Sequence, residues 1–159
     1  FYNFTLNSYL SMLAFIGVYN CKADSKFRVS VPAMFRKVAD SEMQNVWIIR
    51  RSSTDNCIDM YPLSVWSEFQ QKLRTKLNPM KPQHATFLRE FYRNVHILEA
   101  DSNGRILLPK ALLLEVGIDK EMVMAGLDNK IQIWNPECYE ALRMPHEELA
   151  QLIQEIFND

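Results

Sequence analysis

The sequence contains two copies of one short unit, and this duplication constrains the possible folds more than any other feature. Residues 24–32 are Asp-Ser-Lys-Phe-Arg-Val-Ser-Val-Pro, and residues 101–109 are Asp-Ser-Asn-Gly-Arg-Ile-Leu-Leu-Pro. A second stretch recurs in the same order, since 56–62 matches 129–135 in its pattern of Asn, aliphatic and aromatic residues. The first copy carries a few extra residues at 50–55. Two matched stretches in the same order indicate an internal duplication rather than chance.

Each copy predicts a β-hairpin, a short helix and a second β-hairpin. In the second copy, Asn103-Gly104 between apolar alternations is a strong hairpin signal. Pro109 ends the following strand and begins a short helix, which Gly117 ends. The second hairpins are predicted from apolar strands at 46–49 and 57–61, and at 122–124 and 130–134.

Longer helices are predicted between and after the two copies. Apolar residues recur at helical spacing in 66–77, 82–93 and 146–157, the last with Leu149, Leu152, Ile153 and Ile156 on one face. We expect these apolar faces mainly to cover the sheets, with some contribution to contacts between subunits. Tyr61, Trp66 and Trp134 are expected to pack in the core rather than to stack on bases.

The composition fits a folded, soluble protein of one compact domain or two small ones. The chain has 159 residues, of which 48% are hydrophobic and 23% charged. Its net charge of −1 neither indicates nor excludes a nucleic-acid partner, because the distribution of charge matters more than the sum. Lys and Arg are dense from Lys22 to Arg51, whereas residues 145–159 contain acidic residues and no Lys or Arg.

The cysteines indicate neither a metal site nor a disulfide framework. Cys21, Cys57 and Cys138 are scattered, form no CxxC pair and have no histidine at ligand spacing. We therefore predict no metal, no cofactor and a reducing, cytoplasmic location.

The N-terminal segment 1–15 is partly apolar but lacks the basic region and cleavage site of a signal peptide, and it is too short to span a bilayer. We expect no membrane association. We interpret it as an extension outside the core, with Met12 as the natural start.

The two Asp-x-x-x-Arg turns, each followed by an apolar strand, a Pro and a short helix, make the sequence resemble the MraZ family of transcriptional regulators. The similarity extends from about Ile16 to the region of Leu142 and includes the aromatic endings Tyr61-Pro62-Leu63-x-x-Trp66 and Asn129-Lys130-Ile131-x-x-Trp134. Two such turns in two matched copies are specific, whereas one alone would not be.

The resemblance implies an α+β fold, mainly β, in which two SpoVT-AbrB (swapped-hairpin) domains form a pseudo-two-fold β-barrel flanked by amphipathic helices. On this basis the chain divides into the extension at 1–15, a first domain at 16–65, a helical connector at 66–94, a second domain at 95–138 and a C-terminal helical segment at 139–159.

The resemblance also implies a function. Family members assemble as ring-like homo-oligomers on double-stranded DNA, bind repeated boxes upstream of a cluster of division and cell-wall genes, and generally repress it. A nucleoid-associated regulator without enzymatic activity is therefore expected.

Arg28 and Arg105 are the first candidates for DNA contact, because a guanidinium suits both phosphate and the guanine edge. The alternative is a purely structural salt bridge. Asp24, Asp101 and Gly104 are predicted to shape the turns. We expect the first copy to bind DNA more strongly, because its basic neighbours are Lys22, Lys26, Arg36, Lys37, Arg50 and Arg51. The only close basic neighbour of Arg105 is Lys110, and the negative charges of Glu99 and Glu115 reduce the positive charge there.

The first turn departs from the family pattern, since Phe27 stands where Gly is usual and where the second copy keeps Gly104. A positive φ at Phe27 would cost about 1–2 kcal/mol. We expect the first turn instead to adopt a different geometry, which affects the placement of Arg28.

Two other classes of function compete with DNA binding. An enzyme could use Cys57 or Cys138 with a histidine, or the pair Asp55 and Asp59, but no catalytic motif accompanies them. An antitoxin-like protein-binding module would usually have a single unit and a tail that folds on its partner. The two units and the amphipathic C-terminal helix favour DNA binding.

Overall fold

The computed structural model describes residues 14–39 and 45–158. The prediction that the chain naturally starts at Met12 lies outside these residues. The eight described strands are β1 (Val18–Lys22), β2 (Arg28–Ser30), β3 (Val46–Arg51), β4 (Ile58–Pro62), β5 (His96–Glu99), β6 (Arg105–Leu107), β7 (Glu121–Leu127) and β8 (Lys130–Trp134).

Six helices lie in the described ranges. They are α1 (Ala33–Val38), α2 (Leu63–Lys76), α3 (Pro82–Arg93), α4 (Lys110–Glu115), α5 (Pro136–Glu140) and α6 (His146–Phe157). Prolines precede or begin each of them, consistent with the fixed φ of Pro at a helix start. Among the described residues, no helix has the length and apolar character needed to cross a membrane.

The strands pair across the two sequence copies. A six-stranded antiparallel sheet has the order β1-β7-β8-β4-β3-β5, and β2 pairs with β6 in a separate two-stranded ribbon. The first strand of each copy is therefore added to the second hairpin of the other copy, with β1 on β7 and β5 on β3. Neither copy contains all the pairing partners of its own strands.

The strand registers show that the two copies are related by an approximate two-fold axis. Tyr19 in the first copy pairs with Met124 in the second. The residues equivalent to these two, His96 in the second copy and Ile49 in the first, also pair with each other. Asp59 pairs with Gln132, the equivalent residue of the second copy. Because equivalent residues face each other here, the two-fold axis passes through this pair.

The predicted α+β fold with antiparallel strands is confirmed, whereas a closed barrel is not found in the pairing of the described strands. The sheet is open, with β1 and β5 at its edges. The ribbon strands are three residues long, and two residues after each of them stands a proline, which has no N–H to continue a ladder. They therefore pair with each other and do not close the larger sheet.

The core lies between the sheet, the ribbon and the short helices α1 and α4. Phe35 of α1 is fully buried, and its ring makes edge-to-face contacts with Phe15 and Tyr19 at centroid distances of 5.8 and 5.0 Å. The sequence places Phe15 in an extension outside the core, but the structure buries this residue. Phe15 is 3% exposed, and its N–H donates to the carbonyl of Asp128 at 2.7 Å.

The longer helices differ in what they cover. Trp66 of α2 is buried, and Phe91 of α3 stacks on it with ring centroids 6.1 Å apart, so α3 packs on α2. Trp134 is also buried and Tyr61 half-buried, which confirms the core packing predicted for these aromatic residues. Every described residue of α6 is exposed, so the prediction that its apolar face covers a sheet is wrong for this chain alone.

Candidate nucleic-acid interface

The first Asp-x-x-x-Arg turn is closed by one carboxylate. Asp24 Oδ1 accepts the backbone N–H groups of Lys26 at 2.9 Å and Arg28 at 3.0 Å, and Oδ2 accepts Nε–H of Arg28 at 2.9 Å. The backbone closes the same turn, since the N–H of Asp24 donates to the carbonyl of Arg28 at 2.9 Å. The aspartate therefore shapes the turn and also holds the arginine that ends it.

The second turn repeats this arrangement. Asp101 Oδ1 accepts the N–H groups of Asn103 at 2.9 Å and Arg105 at 3.0 Å, and Oδ2 accepts Nε–H of Arg105 at 2.9 Å. Distances that agree within 0.1 Å mean that both copies present their arginine in the same way.

Both carboxylates remain charged at neutral pH. The backbone N–H of Arg28 is the largest cause that lowers the pKa of Asp24, and the backbone N–H of Arg105 does the same for Asp101. Each ion pair uses only Nε–H of the guanidinium. Because a guanidinium has five N–H donors, the two terminal amino groups are left for an acceptor outside the turn.

The arginines lie on one face of the β2–β6 ribbon. Val29 pairs with Ile106 and both are buried, which anchors the back of the ribbon in the core. Because side chains alternate along a strand, the residues on either side of this pair share the opposite face. We call this the ribbon face, and it consists of Arg28, Ser30, Arg105 and Leu107.

Both arginines belong to the ribbon face, at diagonal positions of the strand pair. Arg28 pairs with Leu107, and Arg105 pairs with Ser30, so the two arginines are related diagonally across the strands. Diagonal positions in an antiparallel pair are about 7–8 Å apart, within reach of long side chains. The arginine side chains are 38% and 34% exposed, which leaves them accessible from outside.

The expectation of a different geometry for the first turn is wrong. Phe27 has φ of 62°, close to the 75° of Gly104. The carbonyl of Phe27 accepts the N–H of Leu108 at 3.0 Å, and the carbonyl of Gly104 accepts the N–H of Val31 at 3.0 Å. These ribbon bonds, and the partial packing of the Phe27 ring on the core, hold the residue in its left-handed conformation.

Each turn receives a cation from the helix of the other copy. Arg36 of α1 lies over Gly104, where an added Cβ would come within 2.6 Å of its Nη1, and its Nε–H donates to the carbonyl of Val31 at 3.1 Å. Lys110 at the start of α4 has its Nζ 5.6 Å from the ring centroid of Phe27. The structure therefore brings Arg36, Lys110 and the turn residue Lys26 to the edges of the ribbon face.

The remaining predicted cations lie elsewhere. Lys22 on β1 stands opposite Glu121, and Lys37 is exposed on α1. Arg50 and Arg51 are at the end of β3 farther from the Asp101 turn, and the guanidinium of Arg50 is 4.4 Å from the ring centroid of Phe91. For Arg50 and Arg51, closeness to Arg28 in the sequence does not carry over to the fold.

Ser30 and Leu107 of the ribbon face are not among the residues that the sequence predicts for the site. The alternation of side chains along each strand was visible, and it places residues 30 and 107 on the same side as Arg28 and Arg105. The pairing of β2 with β6, which brings the four residues together, joins strands from different copies and has no local signal.

Cys57, one of the two cysteines that an enzyme could use, is not arranged for catalysis. Cys57 is fully buried, and its pKa is raised to about 12 by burial first and by the nearby charge of Asp59. A thiol with such a pKa does not form the thiolate that nucleophilic chemistry needs. Within residues 14–39 and 45–158 no cluster of His, Cys, Asp and Glu suited to a metal ion occurs.

Both halves of the chain match one family model, described as "MraZ protein, putative antitoxin-like". The matches cover residues 14–90 and 91–154, which correspond to the two interleaved copies. The chain belongs to the MraZ family.

Full-length MraZ relatives show similarity along nearly the whole chain. A protein of Bacteroides thetaiotaomicron is 38% identical over 148 residues, covering 93% of this chain and 95% of its own. A protein of Christiangramia forsetii is 34% identical over 149 residues, covering 93% and 96%. One of Clostridium tetani is 31% identical over 145 residues, covering 89% and 98%.

Each of these relatives is named transcriptional regulator MraZ. The MraZ family is a family of transcriptional regulators and not of enzymes, which confirms the predicted class.

Proposed function

We propose that this protein regulates transcription by binding specific DNA sequences through the ribbon face. The observation that supports this most strongly is the placement of Arg28 and Arg105. Two similarly built turns hold two guanidinium groups on the same face of a two-stranded ribbon, each with its terminal amino groups left for an outside acceptor.

The geometry suits the major groove of duplex DNA. A two-stranded β-ribbon fits that groove, and an arginine can donate two hydrogen bonds to O6 and N7 of guanine or to a phosphate. Lys26, Arg36 and Lys110 at the edges of the ribbon face provide charges for phosphates, which position the protein. Four further cations remain predicted DNA contacts with weaker support, namely Lys22, Lys37, Arg50 and Arg51.

The finer features implied by the resemblance complete the proposal. The exchange of strands between the copies supports a swapped-hairpin arrangement, built here on an open sheet and a separate ribbon. The targets are repeated boxes upstream of the protein's own division and cell-wall gene cluster, the effect is repression, and the location is the nucleoid in the cytoplasm. A ring-like homo-oligomer would engage several boxes together, which multiplies the weak affinity of one ribbon.

A mobility-shift assay with DNA from just upstream of the protein's gene, over a series of salt concentrations, tests the proposal. Arg28→Ala should weaken specific binding about tenfold or more and flatten the dependence on salt, because one cationic contact is lost. Arg143→Ala is the matched control, since Arg143 also pairs with a carboxylate, that of Glu140 at 2.8 Å, but lies outside the ribbon.

Unchanged affinity of a folded Arg28→Ala protein would remove Arg28 from the site. A larger effect of Arg105→Ala would reverse the predicted ranking of the two copies. No shift with this DNA, together with co-purification of a small partner protein, would favour the antitoxin-like alternative.

A further inference from the structure

The two ends of the ribbon face carry the same arginine with different neighbours. The approximate two-fold axis passes through the central pair of the ribbon, because its two members are equivalent residues of the two copies. At the first end, Leu107 stands opposite Arg28, so an isobutyl group accompanies the guanidinium. At the second end, Ser30 stands opposite Arg105, so a hydroxyl group takes the equivalent position. The face is therefore symmetric in its charges and asymmetric in what lies beside them.

Leu107 is the one apolar side chain of the ribbon face. It is 58% exposed, whereas its neighbours along the chain, Ile106 and Leu108, are 0% and 2% exposed. A single exposed leucine is by itself ordinary on a protein surface. This one differs in its position, because it belongs to the face on which we place the DNA and stands opposite the proposed guanine contact of Arg28.

The strand geometry places Leu107 about one base step from the base that Arg28 would contact. Residues directly opposite each other in an antiparallel pair have Cβ atoms about 4.5–5.5 Å apart. Successive bases of one DNA strand are about 3.4 Å apart along the helix axis. With Arg28 on a guanine, the Leu107 side chain therefore lies over the next base pair or the one after it.

An apolar side chain in the major groove selects one base. Thymine presents its C5 methyl group there, whereas the edges of adenine, guanine and cytosine present mainly hydrogen-bond donors and acceptors. Contact with Leu107 removes the thymine methyl group from water, which is favourable, while a polar edge against the same side chain loses hydrogen bonds to water. The hydroxyl of Ser30 both donates and accepts, so the second end makes no such selection.

The charges at the two ends favour a close approach of the first end to the DNA. The first turn contains Lys26, which is exposed, where the second turn has the neutral Asn103. Lys110 also lies at the first end, over the aromatic ring of that turn. At the second end the added cation is Arg36, whose Nε–H is already bonded to a backbone carbonyl. Phosphate contacts fix how a protein sits on the duplex, so two lysines hold the end that carries the leucine.

We propose that Leu107 recognises the C5 methyl group of a thymine within about two base pairs of the guanine contacted by Arg28. Because Ser30 makes no equivalent contact, the ribbon prefers one of its two orientations on the DNA. The inference rests on the proposed function and deepens it, since it names a base that the ribbon face reads and the residue that reads it.

Replacement of thymine by deoxyuridine tests the contact, because deoxyuridine pairs with adenine as thymine does and lacks only the methyl group. In DNA from just upstream of the protein's gene, each thymine is replaced in turn, and the affinity of the full chain is measured by mobility shift at fixed salt. A replacement close to a guanine should weaken binding of the wild type about threefold, as expected for the loss of one buried methyl group.

Variants at the two equivalent positions assign the effect to its residue. Leu107→Ala should bind the thymine and deoxyuridine forms of that DNA with equal affinity, because the group that contacts the methyl is gone. Ser30→Ala is the matched control, since it truncates the equivalent residue at the other end and should keep the threefold discrimination. Ser30→Leu should gain discrimination at a second thymine. Both positions are exposed, so the variants should fold normally, which urea unfolding checks.

Two results would overturn the inference. If no deoxyuridine replacement weakens binding of the wild type, the protein reads no thymine methyl group. If Leu107→Ala keeps the discrimination of the wild type, another residue contacts the methyl group. Either result leaves the proposed function in place as long as Arg28→Ala weakens specific binding, whereas a wild type that shifts none of these DNAs would overturn both.

Discussion

Asp24 and Asp101 are the residues on which the arrangement of the candidate interface depends. Each carboxylate accepts two backbone N–H groups and one guanidinium N–H, so the same three hydrogen bonds close the turn and orient the arginine in both copies. The ion pairs are about one-third exposed, so their direct contribution to stability is small. Their effect is to place two guanidinium groups on one face.

Phe27 allows a test of backbone strain at the first turn. Its positive φ is unfavourable for any residue with a Cβ. Both Phe27→Ala and Phe27→Gly remove the aromatic ring, but only Phe27→Gly also relieves the backbone strain. We predict that Phe27→Gly is more stable than Phe27→Ala by about 1 kcal/mol in urea unfolding.

The same pair of substitutions at Lys26 is the control. Lys26 lies in the same turn without a positive φ, so there Ala should be at least as stable as Gly. Equal stability of the two Phe27 variants would mean that the left-handed conformation of the turn is not strained.

The β2–β6 ribbon is the element that joins the core to the interface. Its back is formed by Val29 and Ile106, which are 2% and 0% exposed, and its front by the ribbon face. With three residues in each strand, the ribbon has few backbone hydrogen bonds of its own, so burial of these two side chains holds it in place.

Truncation of the buried side of the ribbon should therefore destabilise the whole fold. Ile106→Ala is expected to lower the free energy of unfolding by about 2–5 kcal/mol, from lost burial and the cavity left behind. Leu107→Ala, one residue on but 58% exposed, should change it by less than about 0.5 kcal/mol. Comparable effects of the two variants in urea unfolding would contradict the assigned orientation of the ribbon.

At the scale of the whole molecule, the two copies form one structure because they exchange strands. β1 is hydrogen-bonded to β7, β5 to β3, and β2 to β6. Each of these pairs joins one copy to the other. The boundary at residues 90 and 91 between the two family matches is therefore a boundary in sequence only.

Separated halves should not fold as monomers. Fragments 14–90 and 91–158 each lack the pairing partners of their first strands, so each should show little native signal in circular dichroism at low concentration. Mixed at equal concentration, they should regain the spectrum of the full chain. A half that unfolds cooperatively as a monomer would show that strand exchange is not needed.

Local features of this molecule could be predicted from the sequence, and long-range ones could not. Sequence signals within a few residues predict the turn at Gly104 and the strand after it. They also predict the helix that begins at Pro82 and ends at Arg93. The exchange of strands has no such signal, because pairing within a copy would bury the same apolar residues.

Two features depend on tertiary structure that the sequence does not reveal. Arg50 follows Arg28 closely in sequence, but the extended β3 carries it away from the ribbon to Phe91. The apolar face of α6 indicates that something covers it, and its sequence does not say what. The resemblance of the turns to a known family supplied the function that these patterns alone could not.

Photo-crosslinking from the ribbon face to DNA tests the central claim most directly. A photoreactive p-benzoylphenylalanine replaces Leu107, which lies beside Arg28 on the ribbon face, or Ile97, which is 75% exposed on β5. In complexes with the upstream DNA boxes, we predict a crosslink from position 107 and none from position 97. A crosslink from position 97 with none from position 107 would place the DNA on another surface and contradict the account.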